Sequence, residues 1–156
     1  MIWGNLMLSS SLEKYLVCIY THLENKTELK VSDLSREMNQ PLSKTIQALQ
    51  RMHYQKQIIY STYQPLRITE QGKKMAQYLI ARDSLIDEFF KLLHIEEHAE
   101  LEKEAIAQYL SYDSLKKIER FVLFNRKYPE IAERFELLLQ INLEKKLLPE
   151  MPIGEK

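Results

Sequence analysis

Val31-Ser-Asp-Leu-Ser-Arg-Glu-Met-Asn-Gln-Pro-Leu-Ser-Lys-Thr-Ile-Gln-Ala-Leu-Gln-Arg-Met52 is the stretch whose reading decides the fold. It has the form of two short amphipathic helices broken at Asn39-Gln40-Pro41. Ser32 is placed to cap the first, with Leu34 and Met38 buried behind it. Pro41 suits the start of the second, because the earliest N–H groups of a helix have no partner within it. In that second helix Ile46, Leu49 and Met52 make an apolar stripe. The stripe leaves Ser43, Lys44, Gln47 and Arg51, with Ala48 between them, on the other side. Two helices joined this way, the second showing small and polar residues outward, form a helix-turn-helix. A merely solvated helix face has the same appearance, so the flanking sequence decides between them.

Downstream, Gln57-Ile-Ile-Tyr-Ser61 reads as a strand, Thr62-Tyr-Gln-Pro65 as a turn and Leu66-Arg-Ile-Thr69 as the returning strand. A β-hairpin directly after a helix-turn-helix is a wing, from which Lys56, Tyr63 and Arg67 can reach phosphates or a groove edge. Upstream, Ser10 followed by Glu13 is a capping-box pattern. Leu12, Leu16, Ile19 and Leu23, with Tyr15 alongside, then recur at helical spacing over about residues 11–24.

Beyond the wing the chain turns wholly helical. Met75, Leu79, Ile86, Phe90 and Leu93 place a long helix over about residues 70–93, with more apolar surface than a small wing domain can cover. It therefore leads into a second core or a dimer interface. Further helices are expected over residues 99–110, over 114–124 with Ser111 or Asp113 as cap, and from Tyr128-Pro129 to about residue 148. The last of these carries Ile131, Phe135, Leu138 and Ile141. The expected fold is mainly α: an N-terminal winged helix-turn-helix over residues 1–72, an all-helical linker and dimerisation domain over 73–148, and a frayed tail over 149–156.

Composition agrees. In 156 residues there are three Gly and five Pro, few enough for a largely helical chain long enough to bury a core. Net charge is zero but unevenly spread. Residues 1–74 hold ten Lys/Arg against six Asp/Glu, and residues 75–156 hold twelve against sixteen. A basic half containing the helix-turn-helix suits phosphate contacts, while DNA would repel the acidic half. The single cysteine, Cys18, excludes an internal disulfide framework and reads as a small, partly buried hydrophobe. No segment has the run of ~18 apolar residues that a membrane span needs, and the N-terminal residues lack a charged leader, so a cytoplasmic protein without a membrane partner is expected.

Several stretches resemble the DtxR/MntR family of bacterial metal-responsive repressors, its manganese-sensing branch in particular. They are Ser11-Leu-Glu-Lys-Tyr-Leu, Val31-Ser-Asp-Leu, Ile59-Tyr60, Tyr63, Leu66, Ile68-Thr-Glu-Gln-Gly-Lys-Lys74 and Leu110-Ser-Tyr-Asp-Ser-Leu115. Their order and spacing hold from about residue 11 to 124. The resemblance implies a homodimer on double-stranded DNA, each winged helix reading half of a palindrome. It also implies a Mn²⁺ or Fe²⁺ site where the first helix meets the linker helix and the helix after it.

That ligand set is not retained. Where the resemblance calls for two first-helix carboxylates, this chain has Lys14 and Val17, and the linker-helix histidine position holds Asp83. The pattern Glu-x-x-Glu-His becomes Glu104-Ala-Ile-Ala107-Gln108. Two carboxylates and an ammonium do not surround a divalent cation, so no cofactor is expected. Instead Lys14 is expected to sit between Asp83 and Glu104 and tie the first helix to the linker helix, the remnant also including Gln108; the alternative is that all these groups face water.

His94-Ile-Glu-Glu-His98 satisfies the H-x-x-E-H pattern of an inverted zinc peptidase, which needs both histidines on one continuous helix. Here the motif falls at a helix end and in a loop, so no enzyme is expected. The expected function is a dimeric DNA-binding regulator without the usual Mn/Fe gating. The alternatives are a regulator gated by a rearranged metal site or a small molecule, and a winged-helix protein-interaction module. Ser32, Ser43, Lys44, Gln47, Arg51 and Tyr63 are the residues expected to meet DNA.

Overall fold

The computed structural model describes residues 8–25, 28–96 and 99–141. Among these, seven helices and one two-stranded sheet follow in the order α1 (Ser10–Glu24), α2 (Val31–Glu37), α3 (Leu42–Tyr54), β1 (Ile58–Ile59), β2 (Arg67–Ile68), α4 (Glu70–Leu92), α5 (Ala99–Tyr109), α6 (Tyr112–Lys127) and α7 (Pro129–Leu139). The fold is mainly helical, as expected. The last helix closes at Leu139 with Gln140 as its C-cap, short of the expected end near residue 148, and residues beyond 141, the expected tail among them, lie outside the described residues.

Two cores form, and α4 belongs to both. The first packs Leu12, Tyr15, Leu16 and Ile19 of α1 against Leu34 of α2, Leu49 and Met52 of α3, Ile58, Leu66, and Ala76 and Leu79 of α4. The second gathers Ile86 and Phe90 from the far end of α4 with Ala107 of α5 and Leu115 of α6. The helix is therefore amphipathic on one face over most of its length, with its N-terminal half in one core and its C-terminal half in the other.

The caps depart from expectation in instructive ways. Ser10 and Glu13 do not form a capping box: the N-cap is Ser9, its side chain makes no cap bond, and Glu13 is drawn to a partner on α4. Ser32 does not cap α2 either, because that helix already starts at Val31 with Lys30 before it. Ser111 does cap α6, its Oγ accepting from the Ser114 N–H at 3.2 Å.

The chain has few glycines, so helix ends are closed by other residues in the left-handed region. Asn39, Lys56 and His94 have φ of 49°, 60° and 55°. After α2 the Asn39 and Gln40 N–H groups donate to the Arg36 and Ser35 carbonyls at 3.1 and 3.0 Å. The same pair of bonds recurs after α3 through Lys56 and Gln57, and after α4 through His94 and Ile95. Each is a Schellman closure, which satisfies orphan carbonyls and turns the chain sharply.

The wing is smaller than expected, pairing only Ile58 with Ile68 and Ile59 with Arg67, antiparallel. Its base is pinned to α4. Thr69 caps α4 by accepting from the Gly72 N–H at 3.0 Å, and its backbone N–H donates to the Gln57 carbonyl at 3.0 Å. Gly72 sits so close to that strand entry that a Cβ there would lie 2.0 Å from the Gln57 carbonyl oxygen.

Candidate nucleic-acid interface and the contacts between helices

The outward face of α3 is built by its inward one. Thr45, Ala48, Leu49 and Met52 are the buried residues of this helix. The expected stripe is thus rotated slightly: Thr45 and Ala48 take core positions, and Ile46 is only half-buried. The physical reason is a partner on α1, since the buried Tyr15 hydroxyl and Thr45 Oγ1 lie 3.0 Å apart and satisfy each other. Ser43, Lys44, Gln47 and Arg51 are all exposed, together with Gln50 and Tyr54, which the sequence reading did not single out. Tyr54 is 87% exposed at the end of the same face. The signal was available, since residues 47, 50, 51 and 54 share one side of a helix.

Ser32 is exposed in the first turn of α2, where it lines a shallow open depression with Ser35, Arg36, Asn39, Gln40 and Pro41. Tyr63 stands at the wing tip, fully exposed and with φ of 65°. Lys56 and Arg67 are exposed at the base of the wing.

The contacts between α1, α4 and α5 correct the expected tie. Lys14 does pair with Glu104, Nζ to Oε1 at 2.9 Å, but both side chains are substantially open to solvent. Asp83 does not join them. It accepts from Arg82 Nε at 3.0 Å, on its own helix. Lys14 therefore reaches α5 rather than the linker helix, and such an open pair contributes at most ~1 kcal/mol. Gln108 is half-buried beside Ala107, and Val17 packs on the first core.

The firm link between α1 and α4 lies one residue earlier on each helix. Arg82 donates through both terminal nitrogens to the two Glu13 oxygens, at 3.2 and 3.0 Å. Arg82 is 8% exposed and Glu13 18%. Burial works against the guanidinium charge, but the hydrogen bonds and charge of Glu13, with Asp83 adding to them, outweigh it and hold the Arg82 pKa above its usual value. The chemistry here does not fit a divalent cation. Glu104 already faces an ammonium, Asp83 and Glu13 face a guanidinium, and the remaining positions offer Val17, Ala107 and only the neutral amide of Gln108.

Around the second core, Lys103 of α5 donates to Asp87 of α4 at 2.8 Å, and that bond, with Glu100 adding, raises the Lys103 pKa. Arg126 of α6 grips Glu88 of α4 through two nitrogens, and its hydrogen bond pulls the Glu88 pKa down.

A different constellation lies between α1 and α2. Cys18, His22 and Glu37 bring one sulfur, nitrogen or oxygen each within 4.8 Å of one another. His22 Nε2 and Glu37 Oε2 are 2.7 Å apart, and the hydrogen bond from His22 lowers the Glu37 pKa. Burial, reinforced by Glu37, pushes the Cys18 thiol up to about 12. His94-Ile-Glu-Glu-His98, by contrast, is not a helical zinc motif: α4 ends at Leu92, His94 occupies the turn beyond it, and His98 lies outside the described residues.

Comparison with known proteins agrees with this arrangement. Residues 7–66 match the family described as iron dependent repressor, N-terminal DNA binding domain, and residues 69–136 match iron dependent repressor, metal binding and dimerisation domain. The HTH-type transcriptional regulator MntR of Listeria welshimeri is 27% identical over 85% of this chain and 94% of its own length. The protein of the same name from Geobacillus thermodenitrificans is 29% identical over 86% of this chain and 94% of its own. Among solved structures, that of the manganese regulator SloR superimposes with a TM-score of 0.66 at 15% identity, covering 75% of this chain and 55% of that one. Members of this family bind DNA, dimerise through the C-terminal domain and are repressors rather than enzymes. With both family domains matched in order along one chain, the protein belongs to the iron-dependent repressor family and is a transcriptional regulator of the DtxR/MntR type.

Proposed function

We propose that this regulator acts as a homodimer, each protomer laying α3 in the major groove over half of a palindromic operator, and that Mn²⁺ or Fe²⁺ does not gate it through the family's inter-helix site. The observation that carries the DNA reading is the free polar face of α3, with Ser43, Lys44, Gln47 and Arg51 all exposed. Residues of this kind at the start and along a recognition helix read base edges and clamp phosphates. Ser32 and the wing-tip Tyr63, both exposed, serve as contacts to the DNA backbone. Independence from Mn²⁺ and Fe²⁺ is supported by the buried Arg82–Glu13 link, which already joins α1 to α4 without an ion. DNA access would place the protein in the cytoplasm; among the described residues no helix is long and apolar enough to cross a membrane.

Selection of bound DNA from a random pool, run with Mn²⁺, with Fe²⁺ and with chelator, tests both parts. A palindrome enriched equally in all three arms is expected. Lys44→Ala and Arg51→Ala should each weaken binding and lower the salt slope by about one unit, while Gln47→Ala should relax preference at one position. Enrichment only with added Mn²⁺ or Fe²⁺ would overturn metal independence. Binding unchanged in all three variants would overturn the assignment of α3 as reader.

A further inference from the structure

We propose that Cys18, His22 and Glu37 form a binding site for Zn²⁺ or a similarly thiophilic divalent cation, bridging α1 and the C-terminal end of α2. Cys18 and His22 are four residues apart on α1, so one helix face presents both. Glu37, the last residue of α2, closes the third side. The three donor atoms already lie within 4.8 Å of one another. Tetrahedral zinc with the usual Zn–N, Zn–O and Zn–S lengths holds its ligand atoms about 3.3–3.7 Å apart. Reaching that geometry requires the His22–Glu37 pair, now at 2.7 Å, to spread slightly and the thiol to swing in. Cys18 and His22 are half-buried and Glu37 is exposed, so the fourth position opens to water.

The donor set selects the ion. Sulfur and imidazole with a single carboxylate favour Zn²⁺, whereas Mn²⁺ favours sites made mostly of oxygen. The Cys18 proton leaves to solvent as the thiolate coordinates. The backbone turn Asn39-Gln40-Pro41 begins two residues after Glu37, so the ion would clamp the end of α2 where the chain reverses into α3. This site shares no residue with the Lys14–Glu104 and Glu13–Arg82–Asp83 contacts and stands whether or not the DNA reading is correct.

Titration of the full chain with Co²⁺, then displacement by Zn²⁺, tests it directly. Cys18 is the single cysteine of the chain, so a thiolate-to-cobalt charge-transfer band reports that residue alone. The expected result is one Co²⁺ per chain with that band, abolished by Zn²⁺ but not by an equal concentration of Mn²⁺. Cys18→Ala should lose the band, and Glu37→Gln should weaken Zn²⁺ binding by ~100-fold or more, since even outer-shell changes cost 10–100-fold. Because Glu37 is exposed, Glu37→Gln keeps the fold, and circular dichroism of both variants checks that they do. Zn²⁺ should also raise the melting temperature of the parent chain but not of Glu37→Gln. No charge-transfer band, or Zn²⁺ affinity unchanged in folded Cys18→Ala and Glu37→Gln, would overturn the proposal.

Discussion

Arg82 shows how much can hang on one side chain. Its side chain is 8% exposed and its guanidinium spans both Glu13 oxygens, so removing it would leave a mostly buried carboxylate without its cation. Stranding a buried charge costs more than the pair itself contributes. Arg82→Ala should therefore lower stability by about 2–4 kcal/mol, measured as the urea unfolding free energy. Glu13→Gln should cost less, because the amide still accepts one hydrogen bond and Asp83 still balances Arg82. Gly72 is a steric counterpart. A Cβ 2.0 Å from the Gln57 carbonyl oxygen meets backbone on the other side, which has no rotamer to yield. Gly72→Ala should cost about 2–3 kcal/mol by the same measurement and loosen the wing, despite the better helix propensity of Ala.

At the scale of elements, helix order and the wing could be read from the chain because apolar periodicity is local. What could not be read depended on partners far along the chain. Ser10 and Glu13 have capping-box spacing, yet Glu13 is taken by Arg82, sixty-nine residues away. The inward phase of α3 was misjudged because Thr45, polar by type, is buried against Tyr15. The expected tie of Lys14 to both Asp83 and Glu104 forms only its Glu104 half, and the firmer α1–α4 link rests on the neighbouring residues 13 and 82, which no motif marks. Helix ends at Lys56 and His94 carry no glycine signal, so only the backbone shows their closure. Cys18, read as a partly buried hydrophobe, stands four residues before His22, but the third member of the group, Glu37, comes from another helix, so spacing along the chain does not reveal it.

The α4–α6 contact gives these elements a measurable pH response. Hydrogen bonding to Arg126 holds the folded Glu88 pKa below its usual 4.5. A depressed folded pKa contributes stability that is complete above the unfolded value and is lost as pH falls through the folded one. Glu88→Gln should therefore melt at a lower temperature than the parent at pH 7. That gap should close as pH drops from about 4.5 downward. A gap that persists at pH 2 would mean that Glu88 acts through packing and not through its charge.

For the whole molecule, the decisive feature is that one helix serves both cores. The first core takes Ala76 and Leu79, the second takes Ile86 and Phe90, and α4 runs unbroken from Glu70 to Leu92. A rigid rod shared this way fixes rotation as well as distance. Each inserted residue turns everything beyond it by about 100° and lengthens the rod by about 1.5 Å. One alanine added between Asp83 and Ser84 should leave both cores able to form but swing the reading heads of a dimer out of phase with the DNA groove. Loss of operator affinity with little change in helix content, read by fluorescence anisotropy and circular dichroism, is the expected outcome. Seven added residues, close to two full turns, should restore the phase while widening the reach by about 10 Å, so such a variant would favour an operator with more widely separated half-sites. On the proposed dimeric reading, the linker would act as a mechanical gauge, its pitch setting which operator spacings are accepted.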